Sequence, residues 1–591
     1  MALRDKRATA SYNFVPLPAT ILRAPLDGGA ANDEERQANY RKYVTEQGTL
    51  SGYIKLRCRT MTPVFIGTGD EEGSFFAPVG KPVLPGSTIR GMVKNIFKIV
   101  TCGAMRKGKD NADFADSMLY YRSFTSPSYK KVMVRSKMMG GQHQSSTKAE
   151  PGFLIRDKLE GRYYICPAQF RREKDPALVQ QHEKAVLWGE YEKRGGELAC
   201  FTGAMKGKTH YTLHSAPDWG RRIPVSEETI ARYKGDLTRD EDLNLFEGKL
   251  AQEGGAAARF TGDDACDFVV PCFYKEKEGA VEYFGFGQYY RIPYPQAIGA
   301  AGHLPRAMEA ASSVVDYADA IFGRKELWAG RLAFEDAVLK EDRGFEAEEA
   351  RYSQTLGEPK PTSYQLYLEQ NESKGTNDWA KENAAIRGYK LYWHQKPGFP
   401  WRKDGEIKEN VDRKLRPLKA GNVFEGRIRF QNLSEVELGA LLKVFRLAAE
   451  DRELCFKIGQ GKGIGLGSVR IDAKLILIDE VQGYEQLFAA DGGWNAAEKE
   501  APMEEYLKAF DDVIARLDEK KRTRYELSQQ ALLDLLDWKA VEQKDWAART
   551  RQMTLGSDKN PDEAFDKEVK QFRNRWVLPT AHEVYSEGKG K

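Results

Sequence analysis

The sequence predicts an α+β fold that has an RRM-like or ferredoxin-like core, large insertions and a C-terminal helical region. Two observations predict the core: a strand and an amphipathic helix occupy residues 51–100, and a strand, a helix and a strand follow one another over residues 423–478. A third observation, helical spacing of apolar residues after residue 500, predicts the C-terminal helices. The order β–α–β, interruption, β–α–β is that of a ferredoxin-like fold.

The first core strand is predicted in "GYIKLRCRTMTPVFIG", where Ile54, Leu56 and Cys58 alternate with polar residues. Its other face is basic, with Arg57 and Arg59. The stretch "PVLPGSTIRGMVKNIFKIV", residues 82–100, then predicts a turn and a helix. Its apolar residues recur with helical spacing, and Arg90, Lys94 and Lys98 form a predicted basic stripe on the opposite side.

The second block begins with "VFEGRIRFQNL", in which Phe424, Ile428 and Phe430 alternate with Arg427 and Arg429. A Ser-x-x-Glu capping box at Ser434 and Glu437 opens the next predicted helix. The glycine-rich stretch "KIGQGKGIGLGSVRIDAKLILI" leads into the last strand. "AGRLAFEDAVL" is expected to be one further strand.

These blocks suggest an organisation in five parts. Residues 1–50 are an N-terminal arm, and residues 51–480 form a discontinuous core. Residues 101–310 are a large insertion of irregular pattern within that core, and residues 341–420 are a hairpin or loop insertion. Residues 481–591 are the C-terminal helical region, whose apolar faces need burial on the core or on a neighbouring subunit.

Composition excludes several classes of protein. The chain has 591 residues and a mean hydropathy of −0.60, no apolar run approaches a membrane span, and the N-terminus lacks a secretory signal. Seven scattered cysteines are typical of a reducing cytoplasm. With 91 Lys and Arg against 87 Asp and Glu, bulk charge says little about partners. We therefore expect a cytoplasmic protein with no membrane partner.

The helix start at Gly86, Ser87 and Thr88 is a candidate phosphate site. Free N–H groups and hydroxyls attract an anion there, and Arg90 and Lys94 extend the positive charge. The alternative is an ordinary helix start with a solvated face.

The glycines at 459, 461, 463, 465 and 467 form a second candidate site, because only backbone groups approach closely there. Lys462 supplies charge. A P-loop is excluded, since Lys462 precedes Gly463 rather than Ser or Thr and the loop enters a strand. A bulged hairpin without a ligand remains the alternative.

Signals for a metal site are weak. Zinc is unlikely because no Cys-x-x-Cys pair occurs; the residues considered are Cys200, His210, His214, Cys266 and Cys272. The acidic stretch "TGDEEG" places Asp70, Glu71 and Glu72 in a Gly-flanked loop, which is either a solvated turn or a functional one.

Taken in order, "LPGSTIRGMVK" and "GQGKGIGLGSVRI" resemble the RAMP superfamily of CRISPR-associated RNA-binding proteins. In that family a Pro-Gly-Ser-x-x-Lys/Arg-Gly helix start and a glycine-rich loop grip the guide RNA. The segment "IFGR…AGRLAFEDAVL" resembles the backbone subunits of type III effector complexes. The islands "YNFVPLP", "YYRIPY" and "RGYKLYWHQ" resemble a longer branch of that family, of about 600 residues.

The resemblance implies a guide RNA (crRNA)-binding backbone subunit of a type III-like CRISPR ribonucleoprotein that recognises complementary target RNA. The guide, the target and other CRISPR-associated subunits are the implied partners in antiviral defence. The residues expected to contact RNA are Ser87, Thr88, Arg90, Lys94, Gly461, Lys462, Gly463 and Gly465, with Arg57 and Arg429 ranked second. Residues 341–420 are expected to act as a thumb, with Tyr389, Tyr392 and Trp393 either stacking on a displaced base or packing in the core.

Family analogy also makes Asp70 a candidate catalytic residue for metal-dependent cleavage of target RNA, with Mg²⁺ or Mn²⁺ and with Glu71 and Glu72 as further ligands. Whether this chain is an enzyme stays open. Two rival functions are an endoribonuclease that processes the guide precursor and a structural scaffold that binds no RNA. None of the seven histidines lies in the two core motifs, which disfavours the endoribonuclease.

Overall fold

The computed structural model describes residues 7–46, 50–108, 113–124, 126–139, 142–182, 184–203, 208–258, 265–325, 327–354, 360–371, 377–396, 412–447, 451–553 and 574–587. The chain forms two compact units. The first unit comprises residues 1–116, 299–377 and 382–591, and the second comprises residues 117–298 with 378–381.

The first unit is built on an antiparallel sheet whose strand order is that of the ferredoxin-like fold. The first core strand, Leu50–Thr60, lies between the third, Val423–Leu433, and the fourth, Ser468–Ile478. The second core strand, Ala337–Glu341, pairs with the third. The resulting order is 4-1-3-2, which confirms the predicted α+β, ferredoxin-like core. The short strands Phe456–Lys457 and Val83–Leu84 form the opposite edges of this sheet.

Two helices pack on one face of the sheet, because their apolar faces and the apolar face of the strands bury each other. The first core helix, Gly86–Val100, buries Val93 and Phe97, and the second, Glu435–Lys443, buries Leu441. They share one hydrophobic cluster with the inward residues of the first strand, which include Leu56. The capping box at the start of the second core helix forms as predicted.

The stretch "AGRLAFEDAVL" is interrupted rather than continuous. Leu332–Phe334 and Ala337–Glu341 both pair with the third core strand, and two residues separate them. The reason lies in those two residues: the Glu335 side chain accepts from Arg427 on the third strand, and Asp336 caps the first core helix.

The C-terminal helices Glu504–Ala515 and Glu519–Leu536 complete the core of the first unit. Phe510, Leu532 and Leu535 are buried in its main hydrophobic cluster. A Cβ on Gly439 would lie 1.9 Å from the Tyr506 carbonyl oxygen, so glycine permits this close helix–helix contact. Of the two places predicted for these apolar faces, the chain's own core is the one observed.

The segment 341–420 leaves and re-enters the unit through a short ladder between Arg351–Tyr352 and Lys414–Leu415. The strand Tyr389–Tyr392 pairs with Tyr12–Val15 of the N-terminal arm. Tyr389 and Trp393 are buried, so core packing rather than base stacking explains them. Residues 397–411 lie outside the described residues.

The second unit has a hydrophobic core of its own, where the sequence showed only an irregular pattern. A five-stranded sheet runs in the order Ile223–Pro224, Tyr163–Pro167, Glu150–Asp157, Cys266–Lys277 and Ala280–Gly285. A four-stranded sheet runs in the order Phe170–Lys174, His210–His214, Leu198–Thr202 and Lys184–Val186.

The remaining elements are short. The strands are Lys107–Gly108, Phe114–Ala115, Met118–Tyr121, Val134–Met139, Gln142–Thr147, Ile292–Ala297 and Glu498–Ala501. The helices are Asp33–Glu46, Pro127–Met133, Pro176–Gln181, Glu227–Lys234, Gly248–Ala257, Tyr317–Phe322, Tyr364–Tyr367, Glu480–Glu485, Trp546–Arg549 and Ala581–Ser586. Within the described ranges, no helix has the length and apolar character needed to cross a membrane.

Candidate nucleic-acid interface

The start of the first core helix is shaped by contacts within the protein. The Gly86 N–H donates to Asp336 Oδ1 over 2.7 Å, so one N–H group of the helix start is already capped by a carboxylate. A Cβ on Gly86 would lie 2.1 Å from the Phe334 carbonyl oxygen, which means that packing alone requires glycine here. Ser87 is exposed and Thr88 is half-buried, so both hydroxyls remain near the surface.

Arg90 and Lys94 lie together over the ring of Phe322. The Arg90 guanidinium carbon is 5.6 Å and Lys94 Nζ is 5.9 Å from the ring centre. Arg90 Nη2 also donates to the Phe322 carbonyl oxygen over 3.3 Å. Burial, followed by the charges of Lys98 and Arg90, lowers the pKa of Lys94. The ring thus holds two like charges close together, as a pair of phosphates would require.

The predicted basic stripe ends at Lys94. Lys98 is buried and forms an ion pair with Asp113, so it cannot extend the surface as the helical spacing suggested. The helix therefore presents two surface cations from this stripe rather than three.

The glycine loop, defined here as residues 459–467, is a tight turn. Gly461 and Gly465 have φ values of +73° and +97°, a region that favours glycine. Lys462 Nζ turns back to donate to the Gly459 carbonyl oxygen over 2.5 Å. Gly463 has a different character: its φ is not positive, and a Cβ there would find only ordinary contacts at 3.4 Å or more.

Lys457 is a residue of this loop's surroundings that sequence reasoning missed. Its Nζ donates to the carbonyl oxygens of Gly465 and Leu466 over 3.2 and 3.0 Å. Burial and the neighbouring charge of Lys462 lower the pKa of Lys457 to about 7. No local pattern distinguishes a lysine that turns into its own loop, so the sequence carried no signal for it.

The exposed face of the sheet is of mixed charge, although its strands predicted a basic one. Arg57 pairs with Glu425 over 2.8 Å and also with Glu341. Arg429 pairs with Glu335, which Arg427 also contacts. Their acidic partners lie on other strands or, for Glu335, between strands, so the alternation within one strand could not reveal them. The charges of Arg57 and Arg429 are consequently offset in part by these carboxylates.

The two candidate motifs follow opposite edges of the sheet. The glycine loop follows the edge strand Phe456–Lys457, and the helix start follows the edge strand Val83–Leu84. Five strand-to-strand steps separate these edges, or about 24 Å at the usual spacing of about 4.8 Å. The loop after the first core strand links them: the Phe65 carbonyl accepts from Gln460 N–H, and the Ile66 carbonyl accepts from Phe76 N–H.

Asp70 organises its own loop. Its carboxylate accepts hydrogen bonds from Thr68 Oγ1 over 2.6 Å, from Gly73 N–H over 2.9 Å and from Ser74 N–H over 3.2 Å. These hydrogen bonds, that from Thr68 first, lower the pKa of Asp70. The carboxylate is exposed and ionised at neutral pH.

The candidate metal ligands are dispersed in the described structure. Across the part of the chain that the structure describes, no three His, Cys, Asp or Glu residues are grouped to hold a metal ion. Asp70 is therefore not part of a set of three protein ligands, and Mg²⁺ or Mn²⁺ at this position would need oxygen ligands from the RNA to complete its coordination. Cys200, Cys266 and Cys272 are buried and form no disulfide bond.

His394 lies beside the glycine loop but is sealed from solvent. Its Nδ1 lies 2.9 Å from Ser468 Oγ, and its Nε2 lies 3.1 Å from the Cys455 carbonyl oxygen. Burial lowers the pKa of His394 to about 3. A neutral, buried imidazole of this kind is structural and cannot serve as the general base of a guide-processing nuclease.

Comparison with known proteins gives one family. Residues 57–164 match the model of the RAMP superfamily, which confirms the resemblance inferred from the motifs. The match begins in the first core strand and includes the whole first core helix. A crystal structure of Csm3 from Methanopyrus kandleri aligns at 13% identity over 79% of this chain and 99% of that chain, with a TM-score of 0.20. A score of this size establishes no shared fold, so the fold rests on the strand order. No curated protein matches the chain.

Proposed function

We propose that this RAMP-superfamily protein is a guide RNA (crRNA)-binding backbone subunit of a type III-like CRISPR ribonucleoprotein. One observation carries the proposal. Arg90 and Lys94 stand side by side on Phe322, in the Pro-Gly-Ser-x-x-Arg-Gly helix start that lies within the matched segment. In the described structure neither side chain forms an ion pair within 4 Å, whereas Arg57 and Arg429 both do.

Binding at this site is electrostatic and independent of sequence. The two cations neutralise neighbouring phosphates, and the hydroxyls of Ser87 and Thr88 are available as donors. Because Asp336 already caps Gly86, the helix terminus itself contributes less than the side chains.

The glycine loop supports the same guide strand from the opposite edge of the sheet. The fold does not itself require glycine at the half-buried Gly463, so a backbone contact with RNA accounts for the residue there. Lys457 and Lys462 donate hydrogen bonds to carbonyl oxygens of the loop. They therefore stabilise the shape of the loop, and their positive charge acts at longer range. An RNA strand that contacts both motifs must be several nucleotides long, so the ligand is a guide RNA rather than a mononucleotide.

Base pairing between the guide and a target RNA supplies sequence recognition. The proposed partners are therefore the guide, the target RNA and the other subunits of the complex. The protein needs only to hold the guide backbone, while base pairing selects the target.

Copurified nucleic acid tests this proposal. We expect the full-length protein, expressed with a CRISPR array and its partner subunits, to retain a discrete RNA of guide length that ribonuclease removes. Conversion of a longer precursor RNA to guide length by this protein alone would favour the precursor-processing endoribonuclease. Protein free of RNA in such an assembly would contradict guide binding and favour the scaffold.

Target cleavage at Asp70 is a second proposal, supported by one observation: this carboxylate is exposed and ionised in the loop between the first core strand and the first core helix. The hydrogen bonds that Asp70 Oδ1 accepts from the N–H groups of Gly73 and Ser74 fix the orientation of the carboxylate.

A further inference from the structure

The second unit contains a cavity of about 590 Å³. It lies between the strands Leu198–Thr202 and His210–His214 and the loop 286–291, and its volume is that of a small-ligand site. The loop carries Tyr289 and Arg291 of the "YYRIPY" island, which the guide-binding proposal does not use.

The floor of the cavity is apolar and aromatic. Phe273, Cys200 and Phe286 are buried, and so are the rings of Tyr211 and Tyr290. Tyr289 is half-buried at the side. A base would stack on the accessible ring of Tyr289, beside a floor whose apolar side chains exclude water.

The rim of the cavity is cationic. Arg172 donates to Gln288 Oε1, Arg122 to the Tyr289 carbonyl oxygen over 3.5 Å, and Lys208 Nζ to Thr202 Oγ1 over 2.8 Å. These three acceptors carry no charge, so the hydrogen bonds position the cations without neutralising them. Arg239 and Arg291 complete the rim.

Carboxylates offset only part of this charge. Among the described lining residues, Asp240 is the one carboxylate, and it already pairs with Lys184. Asp236, behind the rim, lies 3.7 Å from Arg239 and 3.5 Å from Arg291. The rim therefore keeps a net positive charge, in contrast to the exposed face of the core sheet.

We propose that this cavity binds a nucleotide of single-stranded RNA, with the base on the aromatic floor and the phosphate at the arginine rim. Stacking and unneutralised cations are the two features that single-stranded RNA sites combine. An inorganic anion would use the rim alone, and an apolar ligand would use the floor alone. The proposal stands on residues of the second unit and does not rest on the guide site.

Photo-crosslinking of the full-length protein tests the proposal. The protein, freed of nucleic acid, is irradiated with an eight-nucleotide RNA that carries 4-thiouridine, and the crosslinked peptides are mapped by mass spectrometry. We expect a crosslink within the peptide that contains Tyr289. It should fall roughly tenfold in the double variant Arg122→Gln/Arg172→Gln, because two phosphate contacts are lost.

The matched control is Arg171→Gln/Arg221→Gln. Both arginines are exposed in the second unit, both pair with glutamates, and neither lines the cavity. Thermal unfolding of both double variants checks that they fold. Tyr289→Phe should keep the crosslink and Tyr289→Ala should weaken it, since only the former retains the ring.

Three outcomes would overturn the inference: no crosslink in the cavity, equal loss in both double variants, or displacement of the octamer by uridine monophosphate at equal concentration. The last would identify a free nucleotide as the ligand. A crosslink that persists in Arg90→Ala/Lys94→Ala shows that this site is separate from the guide site, whatever that variant does to guide binding.

Discussion

Glycine serves three different purposes at three positions of the candidate interface. Gly86 makes room for the Phe334 carbonyl, and Gly465 adopts a left-handed backbone, whereas Gly463 has neither constraint, since a Cβ there would meet only Ser11 and Tyr392 at 3.4 Å or more. Only at Gly463 does the fold not by itself require glycine. At the residue scale, a glycine in a binding motif is therefore not by itself a ligand contact.

The close contact between Gly86 and the Phe334 carbonyl leads to the first prediction. Gly86→Ala should destabilise the protein by about 1–3 kcal/mol or more, because the new Cβ would overlap the Phe334 carbonyl oxygen and the backbone must shift. Gly91→Ala, an exposed position of the same helix with nothing within 4 Å, should stabilise it by about 0.5–1 kcal/mol. Thermal unfolding compares the two variants, and equal midpoints would contradict the packing role of Gly86.

The lysine inside the glycine loop leads to a pH prediction. The pKa of Lys457 is about 7 in the folded protein against 10.5 for an ordinary lysine. Between pH 7 and 10.5 the unfolded chain binds a proton that the folded chain has released, so this group makes stability rise with pH across that window. Below pH 7 both states are protonated, and the cost of burying the charge is constant.

Lys457→Met should therefore flatten the dependence of the unfolding midpoint on pH between 7 and 10.5, relative to the wild type. Lys520→Met, which removes an exposed lysine, is the control and should leave the slope unaltered. Parallel pH profiles for Lys457→Met and the wild type would show that the pKa of Lys457 is not lowered in the folded protein.

Asp70 permits a sharper test than removal of its side chain. Asp70→Asn keeps an oxygen that can accept from Gly73 and Ser74, so the loop should hold its shape while the charge disappears. In an assembled complex with matched, end-labelled target RNA and Mg²⁺ or Mn²⁺, we expect cleavage in the wild type and its loss in Asp70→Asn at unchanged thermal stability. Cuts that persist in the variant would rule out Asp70 as the catalytic residue.

At the scale of elements, a buried ion pair joins the two halves of the core. Arg331, which immediately precedes the short strand Leu332–Phe334, contacts Glu437 of the second core helix, and both side chains are almost fully buried. Arg331 also donates to the Ala320 carbonyl oxygen, in the helix that ends at Phe322. The platform beneath Arg90 and Lys94 is thus tied to the capping box that Glu437 completes.

Arg331→Met should lower stability by about 3–5 kcal/mol, because it leaves the Glu437 carboxylate buried without its partner. Adding Glu437→Gln should recover part of this loss, since the amide can still cap Ser434 but carries no charge. Denaturant unfolding measures both effects. A loss below about 1 kcal/mol for the single variant, or no recovery in the double variant, would contradict this account.

The sequence predicted the elements of the core because their patterns are local. Alternation in Leu50–Thr60, helical spacing in Gly86–Val100 and the capping box at Ser434 each depend on neighbours along the chain. Partners across the fold were not predictable in this way. Lys98 forms an ion pair with Asp113, Arg57 forms one with Glu425, and Asp336 caps the helix start at Gly86. Each of these acidic residues is distant in sequence or lies on another element.

The second unit illustrates the same limit. Its strands pair over long separations, as between Glu150–Asp157 and Cys266–Lys277, and loops interrupt every local pattern. Its cationic rim draws Arg122, Arg172 and Arg291 from three separate segments. No single stretch of the sequence contains that cavity.

At the scale of the whole molecule, the net charge is only +4. RNA binding must therefore depend on where cations lie that are not paired with carboxylates. The core sheet pairs most of its arginines, whereas the Phe322 platform leaves two cations available. Guide binding by the core should therefore depend on these two side chains more than on the paired arginines of the sheet.

The most direct test of guide binding is its salt dependence. The affinity of the full-length protein for a single-stranded RNA of guide length is measured over a series of salt concentrations for three proteins: the wild type, Arg90→Ala/Lys94→Ala, and Lys520→Ala/Arg522→Ala, a matched pair of exposed cations on a C-terminal helix. We expect Arg90→Ala/Lys94→Ala to bind more weakly regardless of RNA sequence, with a slope of log affinity against log salt reduced by about 1.4, or about 0.7 for each lost phosphate contact. The control pair should match the wild type. An unchanged affinity and slope in Arg90→Ala/Lys94→Ala would contradict the account and leave this helix face a solvated surface.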